Sequence, residues 1–363
     1  MKIVSIVGTR PNFMKIAPLV EEFKKHSDIA HTLIHTGQHY DFGMSKLFFE
    51  ELKLPKPDVH LESSGNPEVN HLKIMIKNAL EKQETKPDLV IVVGDVNSTV
   101  AGAEAAHELG IKVAHVEAGL RSFDMTMPEE INRIRTDNIS DFLFTTEESG
   151  NKNLANEGVD RKKMFFVGNV MIDSLLSHKE RTSKSKILEK LKLMKDGYAV
   201  LTLHRPSNVD NKEALKYVLD ILNEIQKSIK IVFPVHPRTI KNLENFDLLK
   251  YAESQKSLIL TKPLGYLDFL CLMINSKFVL TDSGGIQEET TVLGIPCITM
   301  RNNTERPVTV ERGTNILVST DRIKILEAAN NILKGATFKA KIPPLWDGKA
   351  AKRIVQVILK NFS

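Results

Sequence analysis

The sequence predicts an α/β protein that consists of two Rossmann-like domains, each built on a parallel β-sheet. Short β-branched runs alternate with longer amphipathic stretches along the chain, and repeated β-α-β order is typical of doubly wound sheets. Many of the short runs are apolar at every position, which is the pattern of parallel strands buried on both faces. Because a domain takes roughly 100–200 residues, a chain of 363 residues has room for two.

The predicted elements alternate from the first residues onward. The strand candidates are Lys2–Val7, His31–His35, Leu89–Val93, Lys112–Val116, Phe142–Thr145, Met164–Val167, Tyr198–Leu203, Ile231–Val235, Leu258–Thr261, Phe278–Thr281 and Pro296–Thr299. The helix candidates are Met14–His26, Val100–Glu108, Asn211–Ile229, Gly285–Leu293 and Gly348–Phe362. The composition changes most clearly over Ser177–Lys195, so we place the domain transition just before or within it. Ligands of open α/β sheets bind beyond the carboxyl ends of the strands, so we expect both domains to face a ligand cleft.

The composition argues against several classes of protein. The formal net charge of +5 is spread along the chain without a long basic run, so we expect no nucleic-acid partner. There is no stretch of ~18 apolar residues, and the first apolar run is too short for a signal peptide, so we expect a cytoplasmic protein without membrane contact. Cys271 and Cys297 lie in apolar surroundings outside any CxxC pair, and we expect both to be reduced core thiols.

The segment VLTDSGGIQEE, residues Val279–Glu289, carries the clearest ligand signal. Ser283 can cap a new helix, while Gly284 and Gly285 allow close approach of a ligand to the backbone. The amino end of that helix suits a phosphate. Glu289, four residues further on the same helix face, can accept hydrogen bonds from ribose hydroxyls. The same residues also fit a plain capped turn whose acids favour the helix dipole.

A second candidate segment, GTRPNFMK, directly follows the first strand. It is not GxGxxG and so does not indicate NAD. It places Arg10 and Lys15 at a strand-to-helix junction, where Arg10 can clamp a phosphate with two hydrogen bonds and Lys15 can supply a point charge. A solvated surface pair is the alternative interpretation.

Acidic residues and histidines also follow predicted strands. Asp95 and Glu117 each come after an apolar run, and Glu129 and Glu130 occur in MPEEINR. These carboxylates are candidates for acid–base chemistry, although each also fits a loop cap or an Arg partner, and Pro128 with two acids fits a plain helix start. The histidines His204 in LHRP and His236 in VHPR each stand close to an Arg, a combination that suits phosphate. No HExxH, Cys/His cluster or paired aspartates occur, so we predict no metal and no cofactor.

Taken in order, these segments resemble the non-hydrolysing UDP-N-acetylglucosamine 2-epimerases over nearly the whole chain. The matching motifs are GTRP at Gly8–Pro11, GDVNST at Gly94–Thr99, HVEAGLRS at His115–Ser122, PEEINR at Pro128–Arg133, VGNVMID at Val167–Asp173, TDSGGIQEE at Thr281–Glu289, and Arg301–Pro307 with its TERP end. Each motif is weak by itself, and the ordered set is specific.

The resemblance implies a glycosyltransferase-B-like architecture and a homodimer. The domains would be residues 1–173, completed by a C-terminal helix over 347–363, and residues 174–346, which bind most of the UDP. The resemblance places Ser283, Gly284 and Gly285 at the diphosphate and Glu289 at the ribose. It places Arg10 and His204 at UDP and Phe269 near the uracil. The positions that it implicates in catalysis are Lys15, Asp95, Glu117, Glu129 and His204.

The implied reaction is inversion at C2 of UDP-N-acetylglucosamine to give UDP-N-acetylmannosamine, a product expected to serve polysaccharide biosynthesis. The hydrogen on C2 is not beside a carbonyl, so its removal requires that UDP leaves C1 and a 2-acetamidoglucal forms. UDP then returns to C1 while a proton reaches the other face of C2. This chemistry needs acid–base groups near C2 and cations that stabilise the departing UDP.

Two segments depart from the family pattern. Many bacterial members carry Glu where this chain has Asn12, and Thr36–Met44 differs from the common bacterial QHR version. In some bacterial members this region contributes to a second, activating UDP-N-acetylglucosamine site, so that regulation stays open. The departures also fit a modified substrate of the 2,3-diacetamido uronic acid type. A hydrolysing epimerase shares much of the pattern, whereas a UDP-sugar glycosyltransferase or a non-catalytic UDP-sugar sensor needs no such acid set.

Overall fold

A computed structural model describes residues 1–38, 51, 54–63, 65, 67–336, 338 and 340–362. The chain divides into two compact units. Unit 1 comprises residues 1–178 together with 344–363, and unit 2 comprises residues 179–343. Unit 1 is therefore discontinuous in sequence. Among the described residues, no helix has both the length and the apolar character needed to cross a bilayer.

Unit 1 contains a seven-stranded sheet in its described residues, with the strand order β3-β2-β1-β4-β5-β6-β7. All of its strand pairs are parallel. The strands are β1 Lys2–Val7, β2 Ala30–His35, β3 Val59–His60, β4 Leu89–Val93, β5 Lys112–Ala118, β6 Phe142–Thr145 and β7 Met164–Phe166. The helices are α1 Arg10–Phe23, α2 Val69–Glu81, α3 Asn97–Glu108, α4 Pro128–Ile139, α5 Glu148–Asn156 and α6 Val170–Lys179, with a 3-10 turn at Arg161–Lys163.

Unit 2 contains a six-stranded parallel sheet in its described residues, with the order β10-β9-β8-β11-β12-β13. The strands are β8 Tyr198–Thr202, β9 Lys230–Pro234, β10 Leu258–Thr261, β11 Phe278–Thr281, β12 Cys297–Thr299 and β13 Asn315–Leu317. The helices are α7 Ile187–Lys190, α8 Pro206–Val209, α9 Lys212–Ile225, α10 Pro237–Asn245, α11 Leu249–Glu253, α12 Tyr266–Ile274, α13 Gly284–Leu293, α14 Pro307–Glu311 and α15 Arg322–Leu333, after a 3-10 turn at Glu180–Lys184. The last helix of the chain, α16 Ala350–Phe362, belongs to unit 1.

The central strands form because their residues are apolar on both faces. Every residue of Leu89–Val93 is fully buried, as expected for a parallel strand covered by helices on both sides. Helix α3 lies close to this sheet, because a Cβ at Gly102 would be only 2.9 Å from Cδ1 of Ile6. In both sheets the strand order reverses beside the first strand of the unit, and such switch points bind ligands in open α/β sheets.

The predicted α/β class is confirmed, and the differences from the predicted elements have simple causes. The strands Val59–His60 and Asn315–Leu317 were missed because two or three residues carry no usable periodicity. Helix α1 begins at Arg10 and not at Met14, because Thr9 takes the N-cap position and Pro11 fits the first turn. Cys271 and Cys297 are buried and unpaired, as predicted.

Helix α16 is anchored in unit 1 by a carboxylate from α6. The backbone N–H groups of Ala350 and Ala351 donate to Asp173, at 3.1 and 2.7 Å. Trp346, almost fully buried, donates its indole N–H to the carbonyl oxygen of Thr146 at 2.9 Å. The two hydrogen bonds to Asp173 satisfy the first N–H groups of the helix, which otherwise lack intrahelical partners.

Candidate active site

In unit 2, the start of helix α13 combines features that favour an anion. Ser283 is the N-cap, and its extended backbone turns the chain from β11 into the helix. A Cβ at Gly284 would lie 2.6 Å from Nη1 of Arg306 and 2.7 Å from Oε1 of Glu305, so only glycine fits without displacing these groups. A guanidinium group therefore lies directly against the helix start. Free N–H groups, the helix dipole and this cation all favour a bound phosphate.

A cluster of three arginines and two glutamates lies beside this helix start, and all of them except the partly exposed Arg205 are buried. Arg306 pairs with Glu288 through Nε and with Glu305 through Nη1, each at 2.6 Å. Arg301 pairs with Glu305 at 2.7 Å, and Arg205 lies 3.9 Å from the same carboxylate. Burial lowers the pKa of Arg301. The positive charges of Arg205 and Arg306 lower this pKa as well, whereas Glu305 raises it. Three guanidinium groups and two carboxylates thus lie together, and guanidinium groups at a helix start favour an anionic ligand.

His204 is oriented by a buried aspartate that the sequence prediction did not select. Asp282 accepts hydrogen bonds from the backbone N–H groups of His204 and Arg205, at 3.0 and 2.9 Å, and from Nδ2 of Asn208 at 3.1 Å. Its carboxylate also lies 2.8 Å from Nδ1 of His204. Burial alone would raise the pKa of Asp282, but these donors outweigh it and hold the pKa below its usual value. Nδ1 of His204 therefore donates to Asp282, and the half-exposed ring presents Nε2 to a ligand.

Glu289 lies on α13 and is almost fully buried. The hydroxyl of Tyr266 donates to Glu289 Oε1 at 2.9 Å. Burial raises the pKa of Glu289 to about 7 in spite of this hydrogen bond, and Glu288 acts in the same direction. Phe269, which was predicted to lie near a uracil, stands one turn after Tyr266 on α12 and is partly exposed.

In unit 1, two predicted catalytic residues are in direct contact. Lys15 Nζ lies 2.7 Å from Glu117 Oε2, and both side chains are buried. Glu117 has a positive φ of 78°, and the pairing of β5 with β6 shifts register between Val116 and Ala118. A glutamate in the left-handed region stores backbone strain of about 1–3 kcal/mol, and such strain is concentrated at functional sites.

The two acids at the start of α4 have separate roles. Glu130 is buried and accepts hydrogen bonds from the backbone N–H groups of Ser122 and Phe123, at 2.9 and 3.0 Å. It also pairs with Arg133 at 2.8 Å, and Arg133 pairs in turn with Asp95. The carboxylate of Glu129 is partly exposed and has no hydrogen bond or ion pair within the described residues. Glu130 is thus a structural clamp, whereas Glu129 can act on a ligand.

The segment after β1 contains Arg10, a candidate cation for the ligand, and Asn12, whose side chain stabilises the turn. Burial lowers the pKa of Arg10 to about 10, although Glu51 opposes the shift. Asn12 accepts hydrogen bonds from the N–H groups of Gly8 and Thr9, at 3.0 and 3.1 Å, and donates to the carbonyl oxygen of Val93 at 2.9 Å. Asn12 therefore ties the β1–α1 turn to the end of β4. Of the unusual segment 36–44, residues 39–44 lie outside the described residues.

The structure groups the predicted residues within each unit. In unit 1, Lys15 contacts Glu117, and α4, which carries Glu129, also holds Asp95 through Arg133. In unit 2, Ser283, Gly284, Gly285 and Glu289 share α13. His236 stacks obliquely against His204, with ring centroids 5.7 Å apart. Among the described residues, no group of three or more His, Cys, Asp or Glu side chains is arranged to hold a metal ion.

Sequence reasoning missed the partners of these residues. The missed residues are Arg133 in unit 1 and Asp282, Arg301, Arg306 and Tyr266 in unit 2. Asp282 follows β11 directly, so the strand-end rule that selected Asp95 would also have selected it. Arg306 lies in the TERP motif. Arg133 ends the PEEINR motif, but its pairing with Asp95 joins distant parts of the chain. Tyr266 carries no local signal, because its role depends on a contact with the distant Glu289.

Comparison with known proteins identifies relatives over the whole length. The sequence profile of a family described as UDP-N-acetylglucosamine 2-epimerase matches residues 21–359. A UDP-N-acetylglucosamine 2-epimerase of Methanocaldococcus jannaschii is 44% identical, and the match covers 99% of each chain. A UDP-2,3-diacetamido-2,3-dideoxy-D-glucuronate 2-epimerase of Pseudomonas aeruginosa is 40% identical, with 99% of this chain and 100% of that one covered.

The fold is also similar to that of solved structures. The crystal structure of the Methanocaldococcus jannaschii enzyme in complex with UDP-GlcNAc and UDP superimposes with a TM-score of 0.91. The two chains are 42% identical in this comparison, which covers 99% of this chain and 100% of the other. The likeness extends through both units, because the match leaves almost no residue of either chain uncovered.

Proposed function

Because this chain belongs to the UDP-N-acetylglucosamine 2-epimerase family, we propose that it inverts C2 of UDP-N-acetylglucosamine reversibly to give UDP-N-acetylmannosamine, without hydrolysis. The observation that carries the proposal is the presence of two complementary sets of residues in one chain. Unit 1 holds an acid–base set with a lysine, and unit 2 holds a cationic helix start. A pure UDP-sugar binder needs only the second set.

The proposed reaction balances as elimination followed by addition. The bond between C1 and the diphosphate oxygen breaks, and its electron pair leaves with UDP. The proton on C2 passes to a carboxylate, and a double bond forms between C1 and C2. In the return step a UDP oxygen attacks C1, and a proton is delivered to the opposite face of C2. No other reactant is consumed, so UDP and free sugar do not accumulate.

We assign the departure of UDP to unit 2. Ser283, Gly284 and Gly285 would bind the diphosphate at the helix start, where the charge on UDP increases as the bond to C1 breaks. Stabilisation of developing charge by prearranged donors is a large term in catalysis. The ring of His204 is oriented by Asp282 through Nδ1, and as an imidazolium it would donate from Nε2 to the same oxygens. Glu289 would bind the ribose, Phe269 would lie near the uracil, and Arg10 of unit 1 would add a further cation for UDP.

We assign the proton transfers at C2 to unit 1. Glu129 offers a partly exposed carboxylate, Asp95 is paired with Arg133, and Glu117 is paired with Lys15. The different surroundings of the three carboxylates suit a reaction that needs both an acid and a base. Removal of one positioned acid–base group typically lowers the rate by 10²–10⁴.

Several further expectations accompany this assignment. We propose that the domains are residues 1–173 with 347–363 and residues 174–346, within a few residues of the two compact units. We also propose that the enzyme is a cytoplasmic homodimer, without nucleic-acid or membrane partners, whose product serves polysaccharide biosynthesis. The family resemblance supports these points.

The deciding experiment is proton NMR of UDP-N-acetylglucosamine with purified enzyme in D₂O. We expect UDP-N-acetylmannosamine with deuterium at C2 and no free sugar. Accumulation of UDP and free N-acetylmannosamine would replace the proposal with a hydrolysing epimerase. If UDP-N-acetylglucosamine does not react but the 2,3-diacetamido uronic acid sugar does, the substrate assignment is wrong and the reaction type stands.

A further inference from the structure

His115 lies in β5, fully buried, and both of its ring nitrogens face an acceptor. Nε2 is 2.8 Å from the carbonyl oxygen of Gly94. Nδ1 is 2.6 Å from Oδ1 of Asp137, which α4 supplies. Because a carbonyl oxygen can only accept, Nε2 must carry a proton and donate it to Gly94.

The surroundings of Asp137 show that Nδ1 donates as well. The N–H of Gly119 donates to Asp137 Oδ2 at 3.1 Å, and Arg121 Nη1 lies 2.8 Å from the same oxygen. Arg121 is held in turn by two hydrogen bonds to Glu157, at 2.8 and 2.7 Å. Burial alone would raise the pKa of Asp137, but His115 and Arg121 outweigh it and hold the pKa below the usual range. Asp137 is therefore an ionised acceptor.

These hydrogen bonds fix the two chain segments that carry Asp95 and Glu117. The carbonyl of Gly94 belongs to the peptide group that leads into Asp95, and the N–H of Gly94 donates to Val116 at 3.0 Å. Gly94 is thus held on both sides by β5, in a backbone conformation with φ of 73°. Asp137 also fixes Gly119, two residues after Glu117. One buried pair therefore determines where both acids stand.

The charged groups around the pair are satisfied by one another. From α1, Lys15 pairs with Glu117, and its Nζ would be 2.7 Å from a Cβ at Gly94. From α4, Arg133 pairs with Asp95. Glu117 and Asp95 are thus each paired with a cation other than His115. The His115 ring therefore serves to fix the backbone at Gly94, and it does not neutralise a catalytic acid.

We propose that His115 is a positioning residue of the epimerase, which fixes Asp95 relative to Glu117 by donating to Gly94 and to Asp137. The proposal rests on the proposed function of these two acids. His115 has no exposed surface and touches no substrate. Its effect on the rate is indirect, because misplacement of a reacting group by about 1 Å can lower a rate by about 100-fold.

Two substitutions separate the two hydrogen bonds of His115. In His115→Gln the amide nitrogen can occupy the place of Nε2 and keep the bond to Gly94. In His115→Asn the amide nitrogen can occupy the place of Nδ1 and keep only the bond to Asp137. We expect kcat of His115→Asn to fall about 100-fold with little change in KM, while His115→Gln stays within about tenfold of the wild type.

Folding is checked independently of the chemistry. Emission of Trp346, the single tryptophan of the chain, monitors unit 1, and UDP affinity monitors unit 2. If both variants fold and show the same kcat, the positioning role of the Gly94 bond is refuted. If the wild type does not epimerise UDP-N-acetylglucosamine at all, the proposed function is refuted instead.

A measurement on the wild-type protein covers the case in which a variant does not fold. In a protein labelled with ¹⁵N-histidine and with ¹³C in the glycine carbonyl groups, we expect one histidine whose Nε2 carries a slowly exchanging proton next to a glycine carbonyl carbon. Absence of such a histidine would overturn the proposal, because the hydrogen bond from His115 to Gly94 would then be missing.

Discussion

At the residue scale, the neighbouring carboxylates of Glu129 and Glu130 differ in burial and in hydrogen bonding. Glu130 is buried among donors, while Glu129 is partly exposed and has no hydrogen bond or ion pair in the part of the chain that the structure describes. The first surroundings stabilise a loop, and the second leave a carboxylate available for proton transfer. Two acids of equal chemistry at adjacent positions thus differ in burial and in hydrogen bonding.

Matched substitutions at these two positions should therefore have different effects. We expect Glu129→Gln to lower kcat by 10²–10⁴ because it removes an acid–base group, with an unchanged melting temperature. We expect Glu130→Gln to lower the free energy of unfolding by about 3 kcal/mol, because it breaks a buried ion pair with Arg133. Activity assays and thermal unfolding of both variants are the measurements. The reverse pattern would show that the assignment of the two acids is exchanged.

The buried Glu289 gives a prediction about pH. Burial raises its pKa to about 7, and ribose hydroxyls bind better to the ionised form. UDP-sugar affinity should therefore increase as pH rises through 7 and level off above it. The expected change in Kd between pH 6 and pH 8 is about tenfold. UDP-glucose is a suitable probe, because its diphosphate does not titrate in this range. Glu289→Gln should remove the pH dependence, and an equal slope in that variant would assign the dependence to another group.

At the scale of elements, the turn from β11 into α13 brings a helix start and a guanidinium group together. Gly284 is the residue that permits this, since a Cβ there would meet Arg306 and Glu305. These two side chains are paired with each other at 2.6 Å and are buried. Neither can move without disturbing the cluster that surrounds the helix start.

The substitution Gly284→Ala tests this arrangement. We expect it to weaken UDP binding at least tenfold, about 1.4 kcal/mol, because the methyl group displaces Arg306 from the phosphate position. Uridine, which lacks the diphosphate, is the control ligand, and its affinity should be unchanged. Calorimetry of both ligands separates the outcomes. Equal losses for uridine and UDP would show that the substitution disturbs the whole unit and not the phosphate position.

At the scale of the whole molecule, unit 1 is assembled from two distant parts of the chain. Asp173 joins them, because its carboxylate accepts the N–H groups that begin α16. Burial raises the pKa of Asp173 to about 6, although these N–H groups act in the opposite direction. The junction therefore includes a carboxylate that is more easily protonated in the folded protein than in the unfolded chain.

This shift predicts how the stability of unit 1 depends on pH. The folded pKa of about 6 lies above the unfolded value of about 3.9. The contribution of Asp173 to the free energy of unfolding is thus fully present below pH 4 and is lost as pH rises through 6. Relative to Asp173→Asn, which does not titrate, the wild type should lose stability between pH 4 and pH 7. Chemical unfolding followed by Trp346 emission measures unit 1 separately. A constant difference between the two proteins across this range would refute the prediction.

Much of the architecture was predictable because parallel strands covered on both faces are apolar throughout. Leu89–Val93 and Phe278–Thr281 were predicted with the observed bounds for this reason. The short strands at Val59 and Asn315 were not, since their pairing depends on neighbours that are distant in sequence. The family assignment was also predictable, because it rests on ordered motifs and not on any single residue.

The candidate site was predictable only in part. Residues that follow strands, such as Asp95 and His204, could be selected by position alone. Asp282 could have been selected by the same rule, but its contact with His204, like that of Arg133 with Asp95, exists only in the folded chain. The residue types alone left Glu129 and Glu130 equivalent, whereas burial, hydrogen bonds and an ion pair distinguish them in the structure. The resemblance selected Glu129, and its catalytic role stays a prediction.

The discontinuity of unit 1 has a consequence for synthesis on the ribosome. Residues 344–363 emerge only after all of unit 2, residues 179–343, has been translated. At roughly 5–20 residues per second, Ala350 and Ala351 are synthesised on the order of ten to thirty seconds after Asp173. During this interval unit 2 can fold to completion, while unit 1 still exposes the surface that α16 will cover. Transiently exposed apolar surface promotes aggregation, so the nascent N-terminal segment is exposed to this risk until α16 has been synthesised.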